Sequence, residues 1–180
     1  FIYWGRLDYR LKGLDRLLNG VSEARKISSN LPFRIFLIGP DYNGGLAMIR
    51  AEIKRLNIQE DVIILLPGQY PAGSKVPLRD ADASILLSRW DGIPRSLRES
   101  LKLNVPIIIS AETHLMELIM KVGGGEPVFD PDNSSETAHA LLKLAGVSEN
   151  INTKNASSYF NSTNVADRFN LQLKQKGIGG

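Results

Sequence analysis

Two apolar patterns alternate along the chain. Six short runs stand out: FIYW (Phe1–Trp4), RIFLI (Arg34–Ile38), VIILL (Val62–Leu66), ASILLS (Ala83–Ser88), PIIIS (Pro106–Ser110) and PVFD (Pro127–Asp130). Five of them are nearly continuous in aliphatic and aromatic residues, the composition of strands buried on both faces of a parallel sheet. Between the runs the spacing changes. Leu14, Leu17, Leu18, Val21 and Ala24 follow a helical period, as do Leu46, Ile49, Ile53 and Leu56, and later Ala138, Leu141, Leu142 and Ala145. Each stripe predicts a helix with one face against the sheet. Repeated strand–helix alternation with right-handed crossovers predicts an α/β fold: a doubly wound, mostly parallel sheet of about six strands with helices on both faces. One domain is expected over residues 1–148. The polar stretch that follows predicts a linker or loop over 149–158, and Tyr159, Phe160, Val165, Phe169 and Leu173 predict a last helix over 159–175.

Composition narrows the function. With 180 residues, 43% of them hydrophobic and 23% charged, the chain suits a single globular domain. The net charge of +3 comes from basic residues scattered among acidic ones. No basic stripe interleaved with aromatics appears, so no nucleic-acid partner is expected, while the mild positive balance suits a phosphate-bearing ligand. The absence of cysteine excludes disulfides, a thiol nucleophile and a cysteine zinc site. It also fits a cytoplasmic location. No apolar run approaches the ~20 residues that span a bilayer, so no transmembrane segment is expected. Opening inside a strand without an initiator Met, the chain reads as a piece of a longer protein.

In open α/β sheets, ligands bind beyond the carboxyl ends of the strands, so the residues after each strand matter most. After the first comes Gly5-Arg6-Leu7-Asp8-Tyr9-Arg10-Leu11-Lys12-Gly13, which sets three cations at a strand end beside a helix start. Such a loop can hold a diphosphate or can be solvated surface, and spacing alone leaves both open. Gly39-Pro40-Asp41-Tyr42-Asn43-Gly44-Gly45 fits no phosphate-loop motif and reads as a turn. After the fourth strand, Ser88-Arg89-Trp90-Asp91-Gly92-Ile93-Pro94 leads into a helix with Glu99 about 7.5 Å along its axis from Pro94. Two carboxylates so placed suit a polyol, yet taken alone they read more readily as a helix-start Asp and a surface Glu paired with Lys102 or Arg95. Asp80-Ala81-Asp82 precedes a strand instead of closing one and reads as a decoy for a metal motif. His114 and His139 stand alone, and no metal ligand set or catalytic triad is expected.

Taken in order, the segments resemble the C-terminal domain of family 4 (group 1) glycosyltransferases, half of a GT-B fold. FIYWGRLDYRLKGLDRLL is similar to the family's opening strand, Gly-Arg-Leu and Lys-Gly-x-Asp-x-Leu-Leu; LRDADASILLSRWDGIPRSLRESLKLNVPIIIS resembles its Ser-x-x-Glu-Gly-x-Pro segment; MELIMKVGGGEPVFDPDNSSETAHAL and SYFNSTNVADRFNLQL follow the closing blocks. The resemblance implies a retaining glycosyltransferase that takes a nucleotide diphosphate sugar as donor, needs no cofactor or metal, and transfers the sugar to an unknown acceptor. Arg6 and Lys12 would grip the diphosphate, and Asp91 would touch the donor sugar. Gly5 and the backbone at Gly92 and Ile93 would lie beside phosphate or sugar, Glu99 would bond the ribose, and Tyr70 would neighbour the base. The acceptor side would belong to an N-terminal domain absent here, so the isolated chain is expected to be inactive; peripheral membrane attachment is expected of the full-length protein. Asp91 stands where the family has Glu, and the Arg6–Lys12 interval is one residue longer than common, which makes Arg10 a rival for Lys12. The alternatives are a non-catalytic nucleotide-sugar-binding module and a GT-B epimerase.

Overall fold

The computed structural model describes residues 1–69 and 77–147. The expected linker, the last helix and Tyr70 lie outside them. Six strands form one sheet: β1 (Ile2–Trp4), β2 (Ile35–Ile38), β3 (Val62–Leu65), β4 (Ser84–Leu86), β5 (Ile107–Ser110) and β6 (Gly125–Val128). Their order is β3-β2-β1-β4-β5-β6, and every pairing is parallel. The order reverses between β1 and β4, the switch point where doubly wound sheets open a crevice.

Five helices connect the strands: α1 (Leu14–Ile27), α2 (Gly45–Leu56), α3 (Arg95–Lys102), α4 (Met116–Lys121) and α5 (Ser134–Leu144). The alternation of side chains along each strand explains why the runs are apolar throughout. Tyr3, Leu37, Ile85, Ile108 and Val128 face one way, into a core shared with Leu17, Leu18 and Val21 of α1, Ile49 of α2 and Leu141 of α5. Leu86, Ile107 and Ile109 face the other way, against Leu97 and Leu101 of α3 and Leu118 and Ile119 of α4. Ile2 and Ile38 on that second face are covered by Leu78, from a short 3₁₀ turn at Pro77–Asp80. Burial of each such side chain stabilises the fold by about 1.5–3 kcal/mol relative to exposure.

Within the described residues the expected elements are present, with two adjustments. β6 spans Gly125–Val128 in place of the expected Pro127–Asp130, because its pairing with β5 begins at Ile107 opposite Gly125. Hydrogen bonding to a neighbour sets that register, and glycine gives no apolar signal of it. The helix α4 has only six residues, too few for a periodic stripe to show. Asp80-Ala81-Asp82 sits at the amino end of β4, away from the carboxyl edge, as its decoy reading requires.

Candidate active site

At the carboxyl ends of β1 and β4 lies a cleft of about 280 Å³ lined by Tyr3, Trp4, Gly5, Arg6, Lys12, Leu86, Asp91, Pro94, Arg95, Ser96 and Glu99. Three separate segments supply its polar groups. The first is the turn after β1. Asp8 accepts a hydrogen bond from the Leu11 amide at 3.0 Å, and the Lys12 and Gly13 amides donate to the carbonyls of Asp8 and Arg10. The turn is closed by these three bonds. It aims Lys12 into the cleft and leaves Arg10 outside, paired with Asp15 at 2.7 Å. Gly13 then enters α1 at φ 65°, where a side chain would run into the Leu87 carbonyl, its Cβ only 2.0 Å away. A residue other than glycine there would push the turn off β4.

The second segment follows β4. Ser88 donates to Asp91 Oδ2 at 3.2 Å, and the same oxygen takes Lys12 Nζ at 2.5 Å. Both partners of that pair keep 15% of their side-chain surface open. Gly92 is exposed, and Ile93 packs its side chain against the α3–α4 core. Neither lines the cleft. The third segment is α3, which has no side-chain cap and opens at the cleft with Pro94, Arg95 and Ser96. Glu99 lies one turn further on the same flank, half-buried and without an ion-pair partner among the described residues.

Arg6 is exposed and rests over the ring of Tyr42, its guanidinium carbon 4.3 Å from the centroid. An aromatic face holds a cation in place without neutralising it, so Arg6 stays available to an anion. Its backbone is held as well. The buried Tyr3 hydroxyl donates to the Arg6 carbonyl at 2.6 Å, and burial, then the charges of Asp91 and Asp8, push the phenol's pKa up. The loop carrying Tyr42 lies closer to this turn than a plain connection would. A Cβ on Gly45 would fall 1.9 Å from the Leu7 carbonyl, and Leu7 bridges to Asp41. Sequence reading missed Tyr42 and Tyr3, since an aromatic beside a glycine turn and one inside a strand both read as structure.

A second charged cluster adjoins the cleft. Arg16, with 3% of its side chain open, donates to Asp132 through Nε at 2.8 Å and Nη2 at 2.7 Å. It also forks onto Glu112, with Nη2 to Oε1 at 3.0 Å. Burial works against its charge, but the bonds to Asp132 and Glu112 more than offset this and raise its pKa. Arg89 joins the cluster through Asp15 and Asp132. Among the described residues, no group of three or more His, Asp or Glu could hold a metal ion, and His114 and His139 are exposed.

A family model of the group 1 glycosyl transferases matches residues 1–154. The chain belongs to that family. Among curated proteins, none matches the sequence. Solved structures carry the fold further. Sucrose-phosphate synthase from Thermosynechococcus elongatus aligns at a TM-score of 0.71 and 19% identity, over 98% of this chain and 44% of that one. The C-terminal domain of LpcC, a group 1 family protein from Francisella tularensis, aligns at 0.67 and 16%, over 99% of this chain and 86% of that one. HepE from Anabaena, in complex with UDP, aligns at 0.64 and 15%, over 98% of this chain and 48% of that one. This chain therefore spans about half the length of the synthase and of HepE. No described helix is long and apolar enough to cross a membrane.

Proposed function

We propose that this glycosyltransferase chain binds the donor, a nucleotide diphosphate sugar, in the cleft between β1 and β4, and that the full-length enzyme transfers the sugar with retention. The observation that carries the reading is the convergence of Arg6, Lys12, Asp91 and Glu99 from three segments on one cleft at the switch point. The two cations and the uncapped start of α3 would meet the diphosphate, with Gly5 allowing the backbone to come close. Asp91 would take the sugar hydroxyls and Glu99 the ribose, since carboxylates accept hydrogen bonds from hydroxyls. The backbone of Gly92 and Ile93 would serve the donor only from outside the present lining, and Tyr70 would be the neighbour of the base.

Negative charge develops on the departing diphosphate as the glycosidic bond breaks. Cations already fixed in place stabilise that charge without reorganising. Lys12 begins in a pair with Asp91, so the donor's phosphate has to share or displace that carboxylate. At about 280 Å³ the cleft is at the small end for a site that buries a ligand. It suits one wall of a larger site, whose acceptor side would come from the rest of the enzyme. The UDP bound to HepE supports a nucleotide diphosphate as ligand.

Titration calorimetry of the chain with UDP, GDP and ADP and their sugar conjugates tests this reading. Binding of one base, weakened in Arg6→Ala, Lys12→Ala and Glu99→Ala, is the expected result. Binding that survives all three substitutions would move the donor elsewhere.

A further inference from the structure

Arg89 stands between the ion-pair cluster and the cleft, and it ties together the two loops that carry Lys12 and Asp91. Its guanidinium forks onto Asp15, Nη1 to Oδ1 at 2.7 Å and Nη2 to Oδ2 at 2.8 Å. Nη1 also donates to the Arg10 carbonyl at 2.6 Å, and the Arg89 amide donates to the Leu11 carbonyl at 3.0 Å. Leu11 directly precedes Lys12, and Arg89 precedes Asp91 by two residues. The loops are thus joined twice: an inner tie at Arg89, and an outer one at Lys12–Asp91. A phosphate that draws Lys12 toward itself loosens the outer tie, and the inner tie then holds the spacing.

We infer that Arg89 is a positioning residue of the cleft, keeping Lys12 opposite Asp91 while a diphosphate is bound and making no contact with the ligand itself. The inference rests on the nucleotide diphosphate reading above. Arg89 does not line the cleft, and its charge is already met by Asp15 and by Asp132 at 3.2 Å. An anion therefore has little to gain from it. What Arg89 supplies is a planar fork that reaches a carboxylate and a carbonyl together, which a lysine cannot reproduce.

Two measurements on the full chain test the inference. The first needs no ligand: amide hydrogen exchange in the wild type, Arg89→Ala and Arg89→Lys. Faster exchange over residues 10–13 and 88–92 in Arg89→Ala, with β2 and β3 unchanged and partial protection in Arg89→Lys, is expected. The second titrates UDP, GDP and ADP into the wild type, Arg89→Ala, Lys12→Ala and the double variant. Arg89→Ala should weaken the nucleotide that binds about tenfold, the scale of one charged hydrogen bond. In the Lys12→Ala background it should cost nothing further, because its effect passes through Lys12. Additive losses would overturn the inference, since a general loosening of the domain adds to any other defect; so would unchanged affinity in Arg89→Ala. If the wild type binds none of the three nucleotides, the nucleotide reading fails, and the clamp stands or falls on the exchange measurement alone.

Discussion

Arg6 and Arg16 lie on either side of one tight turn at the carboxyl edge of the sheet, and they meet opposite surroundings. Arg16 is enclosed, with every direction of its guanidinium taken by Asp132, Glu112 or the Leu87 carbonyl. Arg6 is exposed and, among the described residues, has only the face of Tyr42 beneath it. One cation is spent on architecture and the other is left with its charge available. The same division separates Asp15, paired with Arg10 and Arg89, from Glu99. A site at a strand end is therefore recognised by what its charges lack, not by how many there are.

The sharpest way to break this contrast is to remove the enclosed cation. Arg16→Met should destabilise the fold by about 3 kcal/mol, the lower end for removing one partner of a buried pair, because Glu112 and Asp132 can still turn to water. Urea unfolding of the two proteins checks it. A loss within experimental scatter would mean that the cluster, like many surface pairs, contributes little.

The next largest effect should fall on the cleft side and on binding instead of stability. Lys12→Ala should cost about 1.5–3 kcal/mol of nucleotide affinity, the worth of a charged hydrogen bond, while Arg10→Ala should leave affinity within about twofold of the wild type. Calorimetric titration of both variants sharpens the comparison directly. Equal losses would mean that the turn rearranges on binding and that Arg10 reaches the ligand.

That pair of residues also shows where sequence reading ran out. The six strands and the helices α1, α2, α3 and α5 were legible because burial on both faces forces apolar runs and amphipathic stripes. The loops of the site were legible as places, since ligands gather at strand ends. Which cation enters the cleft was not. It depends on Asp8 closing the turn onto the Leu11 amide, a contact local in space that leaves no periodic trace. Likewise the glycine turn after β2 read as a plain connection, although it seats Arg6 on Tyr42. Arg89 passed unmarked because its partners, Asp15 and Asp132, are distant in sequence.

Tyr3→Phe should have a smaller effect, about 1 kcal/mol of stability, since it removes one hydrogen bond to a carbonyl and leaves the ring in place. If the phenol's task is to hold the Arg6 backbone, nucleotide affinity should fall with it. Thermal unfolding and titration of the same variant separate the two effects. A stability loss without an affinity loss would confine Tyr3 to the core.

The smallest effect concerns acid, and it tests the enclosed cluster alone. Hydrogen bonds from Arg16 hold the Asp132 carboxyl below the usual carboxylate range, against the opposing effect of burial. A carboxyl depressed in the folded state contributes stability that is complete above its unfolded value, near pH 4, and is lost as pH falls through the lower folded value. Glu52, lowered first by its bond from Arg55, follows the same direction, so the wild-type curve alone cannot isolate Asp132. Asp132→Asn can. The gap in stability between wild type and variant should be open at neutral pH and close well below pH 4, as the wild-type carboxyl takes up its proton. A gap that stays constant down to pH 2 would mean that Asp132 serves Arg16 and Arg89 by shape alone. The enclosed cluster would then be held by geometry and not by charge, and its contrast with the exposed Arg6 would have to be rebuilt on packing.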